Sequence, residues 1–171
     1  MSYSTQYNVS ENTQRLSGSN DLYNEPLDWE FLSFILDGNE FGIDILKVQE
    51  IRGWSPLREL PNLPAFVQGV IDLRGKVIPV VDMRTRMGLK KADYSNTTVV
   101  IIIQQQMAGF TNSIYSGLIV DAVADVYRVT KDNYRSIDNL TCYQQNDFIS
   151  GMVSVDKNII VLIDFAKILS N

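Results

Sequence analysis

Carboxylates and arginines are the residues of this chain with chemistry to offer. Asp44, Glu50, Asp72, Asp82, Asp121, Asp125 and Asp164 stand at the ends of apolar runs or the starts of helical ones. Catalysis by such groups needs a nucleophile beside a base, or two acids whose surroundings drive their pKa values apart. Neither Asp82-Met83-Arg84 nor Asp164-Phe165-Ala166 is the Asp-Thr/Ser-Gly turn of an aspartic protease, and capping or solvation accounts for these acids. The chain has no histidine, which removes the usual general base near neutral pH, the usual zinc or iron ligand and any phospho-accepting histidine. A single cysteine, Cys142, excludes an internal disulfide and a cysteine-based metal site, and fits a reducing compartment. Arg74-Gly75-Lys76 hints at a phosphate loop, but that loop places Gly-Lys-Ser/Thr between a strand and a helix, and here a strand follows. Neither a metal nor an organic cofactor is expected. What remains is recognition. Glu50 and Arg74 each end a strand of one unit, and a guanidinium can bridge a carboxylate in a fork. An exposed pair adds only about 0–1 kcal/mol to stability, so a need for both would point to a partner.

Positioning these groups falls to a β unit that occurs twice. Gly42-Ile43-Asp44-Ile45-Leu46-Lys47-Val48-Gln49-Glu50-Ile51 returns, class by class, as Gly117-Leu118-Ile119-Val120-Asp121-Ala122-Val123-Ala124-Asp125-Val126. Phe66-Val67-Gln68-Gly69 leads to Asp82, and Phe148-Ile149-Ser150-Gly151 leads to Asp164 at the same interval.

In the first copy, Phe31 to Leu36 reads as a strand closed by the turn Asp37-Gly38-Asn39. Phe41, Ile43 and Ile45 alternate with Gly42 and Asp44 as a half-buried strand, and a helical step or bulge fits Leu46 to Ile51. Pro56, Pro61 and Pro64 stiffen a connector. Gly69 to Leu73 and Lys76 to Val81 then flank a tight hairpin with Arg74 at its tip. Pro79 predicts an edge strand or a bulge, Asp82 a cap on Met83 to Leu89, and Lys90 to Asn96 a linker.

In the second copy the strands are Thr97 to Ile103, Ile114 to Val120, Val123 to Val129, Phe148 to Val155 and Asn158 to Ile163. A loop holds Gly109 and Asn112, a polar connector runs from Thr130 to Asp147, and Asp164 caps a short helix from Phe165 to Leu169. Many short strands with few helices predict a mainly β protein of paired small barrels. Subdomain 1 falls at about 29–90 and subdomain 2 at about 97–171, with terminal elements open to exchange between barrels.

Composition narrows the partners. A net charge of −5 argues against a phosphate-backbone ligand, which binds mainly through Lys and Arg. Arg84, Arg86, Lys90 and Lys91 form a local basic patch, read as a solvated face. No run is long and apolar enough to cross a bilayer, so direct membrane insertion is not expected. Residues 1–28 form a polar leader expected to be disordered.

Where the copies differ, specialised residues are expected. At the hairpin tip, copy one has Arg74-Gly75 and copy two Asp156-Lys157. Phe41 to Gly53, Pro64 to Gly75 and Val77 to Arg84 together resemble the CheW-like domain family of chemotaxis coupling proteins, a similarity running from about Trp29 to the C-terminus. The resemblance implies two SH3-like five-stranded β-barrels around a shared apolar seam. It also implies a non-catalytic cytoplasmic adaptor in bacterial chemotaxis signalling, joining the helical tip of methyl-accepting chemoreceptors to the regulatory domain of the histidine kinase CheA. The tip would lie in the inter-barrel groove, and ring contacts among like folds would build membrane-associated receptor arrays. By matching motif, Glu50 and Arg74 take the family's acid–arginine coupling pair, and Val48, Gly69, Val99, Gly117 and Val126 match positions linked to receptor coupling. The family often has Asn where this chain has Asp72, which adds a negative charge beside Arg74. The alternatives are a coupling module of another chemosensory pathway, such as pilus-driven motility, and a small-barrel nucleic-acid binder, which the acidic balance disfavours.

Overall fold

The computed structural model describes residues 28–106, 112–137 and 147–168. Most of the leader, Gly109, Cys142 and Leu169 lie outside the described residues. Among the described residues eleven strands and two short α-helices follow in chain order. They are β1 (Trp29–Leu36), β2 (Asn39–Asp44), β3 (Val48–Gly53), β4 (Val67–Leu73), β5 (Lys76–Asp82) and α1 (Met83–Arg86), then β6 (Val99–Gln106), β7 (Ser113–Val120), β8 (Ala122–Val129), β9 (Tyr134–Ser136), β10 (Ile149–Val155), β11 (Asn158–Ile163) and α2 (Phe165–Ile168). The protein is mainly β, and its strands form two SH3-like units.

One sheet has five strands in the order β3-β6-β7-β5-β4; the other has six, β8-β1-β2-β11-β10-β9. The sixth is the three-residue β9, inside the connector from Thr130 and paired with β10. Tyr134-Arg135-Ser136 is too short to show a period, so pattern alone passes over it. Neither sheet is drawn from one half of the chain. The β1–β2 hairpin pairs with β8 and β11, whereas β6–β7 pairs with β3 and β5. Each hairpin meets its host through one antiparallel and one parallel ladder.

Corresponding residues of the repeat do corresponding work. Gly42 faces Leu162 across the parallel β2–β11 ladder, and Gly117 faces Val80 across β7–β5. The ladder slips between Val67 and Gly69 on β4 and between Ile149 and Gly151 on β10. The fixed interval from phenylalanine to aspartate also has a cause. The Asp82 N–H donates to the Phe66 carbonyl at 2.8 Å, and the Asp164 N–H to the Phe148 carbonyl at 2.7 Å. Each aspartate then caps the short helix after it: Asp82 Oδ1 accepts the Thr85 N–H and Asp164 Oδ1 the Ala166 N–H.

The apolar side chains sort into three cores. Leu73, Ile78, Val80, Val100, Ile102 and Ile119 fill the five-stranded unit, and Val129, Val153, Ile160 and Leu162 fill the other. Between them lies a larger core that includes Phe34, Phe41, Met83, Ile101, Ile103, Leu118, Ile163 and Phe165. Alternation along a strand sends successive residues to opposite faces. Thus Val100 and Ile102 point into one barrel while Ile101 and Ile103 point into the seam. A strand buried on both faces must be continuously apolar, which is why Val99 to Ile103 has no polar residue.

Two local expectations are corrected. Strand β5 is internal, between β7 and β4, not an edge. Pro79 is accommodated because registered pairing with β7 begins only at Val80, and the bulge falls on β4 instead. The basic patch is not simply solvated. The Arg84 side chain is 15% exposed; its Nε and Nη2 donate to both oxygens of Asp121, and its Nη1 donates to Asp37 and to the Lys90 carbonyl. Arg86 donates to the Ile168 carbonyl and lies 4.2 and 4.7 Å from the ring centroids of Phe66 and Phe148.

Candidate interaction site

Strand β3 opens after a single 3-10 turn, Ile45–Lys47, whose first N–H groups need an acceptor; Asp44 supplies it to Leu46 at 2.9 Å. The ladder from β3 to β6 slips between Val48 and Glu50. On this strand Glu50 and Arg52 sit two residues apart, so both side chains leave on one face. The two carboxylate oxygens of Glu50 are taken by Arg52, Oε1 by Nε and Oε2 by Nη2, the latter at 3.2 Å. The Arg52 hydrogen bond holds the Glu50 carboxyl below its ordinary range against the small cost of burial, with a lesser pull from the charge of Arg74.

Arg74 occupies the first position of a two-residue hairpin turn, with φ of 52°, followed by Gly75 at 82°. Asp72 Oδ1 accepts the Gly75 N–H at 2.9 Å and fixes the turn. The extra carboxylate beside Arg74 is therefore engaged by backbone. Arg74 makes no hydrogen bond or ion pair among the described residues. It lines a depression of about 180 Å³ with Gln49, Glu50, Leu73, Lys76 and Tyr115. Lys76 Nζ lies 4.6 Å from the Tyr115 ring centroid, a cation–π contact that places a second cation at the rim. Glu50 and Arg74 thus share one surface, while the direct partner of Glu50 is Arg52. The i, i+2 spacing of Glu50 and Arg52 on one strand was the signal that could have revealed that fork.

The other five expected positions are dispersed. Val48 and Val99 are half-buried against the seam core, on strands paired with each other. Gly69 is buried where β4 passes the connector; a Cβ there would stand 2.6 Å from the Arg58 carbonyl oxygen. Gly117 is buried inside β7, where a Cβ would meet Val100 at 2.9 Å and Val80 at 3.1 Å. Both glycines are required for close approach, so their influence on any surface is indirect. Val126 lies in the six-stranded sheet opposite Leu32 and is 46% exposed.

The seam is filled by the shared core, and half-buried apolar side chains packed against it, Val48, Val99, Val123, Phe66 and Phe148 among them, form its rim. A separate cleft of about 540 Å³ opens in the six-stranded unit, walled by Trp29, Phe31, Ile45, Leu46, Tyr134 and Leu162, with Asp28, Glu30 and Asp44 at its margin. Leu46 is 85% exposed there. It occupies the position that Asp121 takes in the second copy, where Arg84 latches the β7–β8 junction. The same joint is charged and closed in one copy, apolar and open in the other.

The sequence matches the family described as "CheW-like domain" over residues 30–171. Chemotaxis protein CheW of Klebsiella aerogenes is 34% identical over 150 residues, covering 88% of this chain and 87% of that one. The probable chemotaxis protein CheW of Rhizobium etli is 35% identical over 143 residues, covering 84% and 88%. Among solved structures, the scaffolding protein TtCheW of Thermoanaerobacter tengcongensis matches with a TM-score of 0.70 and 30% identity, over 81% of this chain and 90% of that one. This chain belongs to the CheW-like domain family.

Proposed function

We propose that the chain is a non-catalytic adaptor of bacterial chemotaxis signalling that couples methyl-accepting chemoreceptors to the histidine kinase CheA within receptor arrays. The observation that carries this reading is the shared surface of Glu50 and Arg74, set beside a seam whose half-buried rim includes Val48 and Val99. A helical receptor tip presents apolar side chains at i, i+3, i+4 and i+7, which suits a half-buried aliphatic rim. Rim charges fix register and reject wrong partners more than they add affinity. Val77 and Ile159 support the ring contacts. They follow the turns of corresponding hairpins, on β5 and β11, and are 67% and 62% exposed, so each unit offers an apolar end to a like fold. Such non-equivalent ends suit head-to-tail contacts that close into rings, and repetition turns modest contacts into a cooperative array. The same reading has the protein in the cytoplasm, recruited to receptors by binding; no described helix is long and apolar enough to cross a membrane.

Co-sedimentation with receptor membranes, with and without CheA, tests this. The chain is expected in the pellet with receptors, to raise receptor-dependent kinase phosphorylation, and to take no phosphate from ATP itself. Retention in the supernatant with receptor and kinase both present, or stoichiometric phosphorylation of the isolated chain, would overturn it.

A further inference from the structure

The two copies treat the same joint differently. In the second, Asp121 at the β7–β8 junction is held by Arg84, which follows the capping Asp82 by two residues. In the first, Leu46 stands where Asp121 would, and two residues after the matching cap, Asp164, comes Ala166, which has no donor to offer. Acid and arginine have both given way to apolar residues. Beside Leu46 lies the cleft of about 540 Å³, within the span of about 300–1,000 Å³ usual for sites that bury a ligand. Trp29, Phe31, Ile45, Tyr134 and Leu162 wall it, and Leu46 is left 85% exposed. An aliphatic side chain so bare, at an apolar cleft, marks a surface that something covers.

The chain brings a cover to the mouth. Asp28 is both the first described residue and a lining residue of the cleft, so the leader joins the fold there. Residues 2–21 have Val9 and Leu16 as their only aliphatics. The six that follow, Leu22-Tyr23-Asn24-Glu25-Pro26-Leu27, are by contrast mostly apolar. Pro26 fixes its own φ and biases Glu25 toward extended backbone. Six extended residues span at most about 20 Å, enough to cross such a cleft from Asp28.

We propose that residues 22–27 turn back over this cleft as a strap, with Leu22, Tyr23 and Leu27 packed on its apolar walls and Leu46 shielded beneath them. The short tether makes this contact intramolecular, at an effective concentration of about millimolar that a free competitor has to match. Tyrosine suits a place with apolar walls and a polar margin, since its ring is buried while its hydroxyl stays wet. Asp21 and Glu25 repeat the charge of Asp28, Glu30 and Asp44 at that margin. These carboxylates keep to water, where screening leaves their repulsion small beside the burial of three large side chains. The strap closes the cleft to other apolar ligands.

Trp29 is the reporter, because Trp54→Phe makes it the sole tryptophan of the full chain. In that protein, changing Leu22, Tyr23 and Leu27 together to Ser is expected to red-shift the Trp29 emission. Acrylamide should quench it more readily and the neutral dye Nile red should bind more strongly, with far-ultraviolet circular dichroism unchanged. Changing Val9 and Leu16 to Ser instead should leave all of these readings as they were. In a Leu46→Ser background, which removes one wall of the contact, the triple change should have a smaller effect. A triple variant indistinguishable from its parent would overturn the strap, as would an equal effect in both Leu46 backgrounds. A shift caused by the Val9 and Leu16 changes would place the contact outside residues 22–27 and overturn the assignment of the segment. Shielding that grows with protein concentration and survives the triple change would give the cleft to a second copy, and the proposal would fail.

Discussion

Arg84 is the residue on which the two units meet most directly. Its guanidinium joins Asp121, at the β7–β8 junction, to Asp37, in the β1–β2 turn, and the Asp37 N–H returns a bond to Asp121 at 2.8 Å. Burial pushes the Asp121 carboxyl up, but the Arg84 fork, the Asp37 N–H and the charge of Arg84 outweigh it and leave the group below its ordinary value of 3.8. A carboxyl lowered in the fold contributes stability that is fully present above its unfolded value and disappears as pH falls through the folded one. Arg84→Gln should therefore cost about 2 kcal/mol at neutral pH, between the exposed and fully buried limits. The gap should narrow at acid pH, below the carboxyl's ordinary value of 3.8, as Asp121 takes up a proton. Urea midpoints for the two proteins at both pH values check this; a constant difference would show that the lost contacts are not electrostatic. The latch is only half legible in the sequence. The exchange of Leu46 for Asp121 between the repeats flags an unusual acid. Its arginine partner reads as solvent-facing because side-chain direction out of a four-residue helix is set by tertiary packing. The Glu50–Arg52 fork, by contrast, is local, and its i, i+2 spacing on one strand is readable in the sequence.

Among the elements, strands are the most legible, because periodicity and turn residues are local. The Asp37-Gly38 and Arg74-Gly75 turns both adopt positive φ, and both aspartate caps form at the residues their position suggests. Pairing partners are less legible, since a strand's alternation says which face is buried and nothing about its neighbour. Pro79 illustrates the point: its missing donor allows either an edge or an internal strand with a late-starting ladder. The two caps, equivalent by repeat, differ in their surroundings. Asp82 is buried, and its second oxygen accepts the Tyr94 hydroxyl at 2.7 Å; the tyrosine's partial burial, joined by this bond and the charge of Asp82, raises the phenol above its usual range. Asp82→Ala should thus cost about 2 kcal/mol, a lost cap plus a part-buried hydroxyl without its acceptor. Asp164→Ala should cost nearer 1 kcal/mol. Tyr94→Phe should bring the two closer by removing the orphaned hydroxyl from the Asp82→Ala protein. Thermal melts of the three variants and the double variant decide it; equal costs at the two caps would argue against the Tyr94 contribution.

For the molecule as a whole, the reciprocal placement of hairpins and the seam core make one mechanical unit of two barrels. Opening the five-stranded unit strips β6 and β7 from β3 and β5, and it also exposes Ile101, Ile103 and Leu118, on which the other unit's Phe34 and Phe165 depend. Neither barrel has a complete sheet or a covered inner face without the other, so unfolding is expected in a single cooperative step. The chain carries its own reporters, since it has two tryptophans and they divide between the barrels. Trp29 packs edge-on to Tyr134 at 5.7 Å beside the core of the six-stranded unit. Trp54 packs on Tyr94 at 4.6 Å beside the core of the five-stranded unit. Trp54→Phe leaves fluorescence that reads the six-stranded barrel, and Trp29→Phe leaves fluorescence that reads the five-stranded one. In each variant the remaining tryptophan's urea transition should coincide with that protein's loss of far-ultraviolet circular dichroism, with the same dependence on denaturant. A barrel whose tryptophan reports an earlier midpoint than the dichroism of the same variant would be unfolding on its own, and the seam would then be an interface between domains rather than a common core.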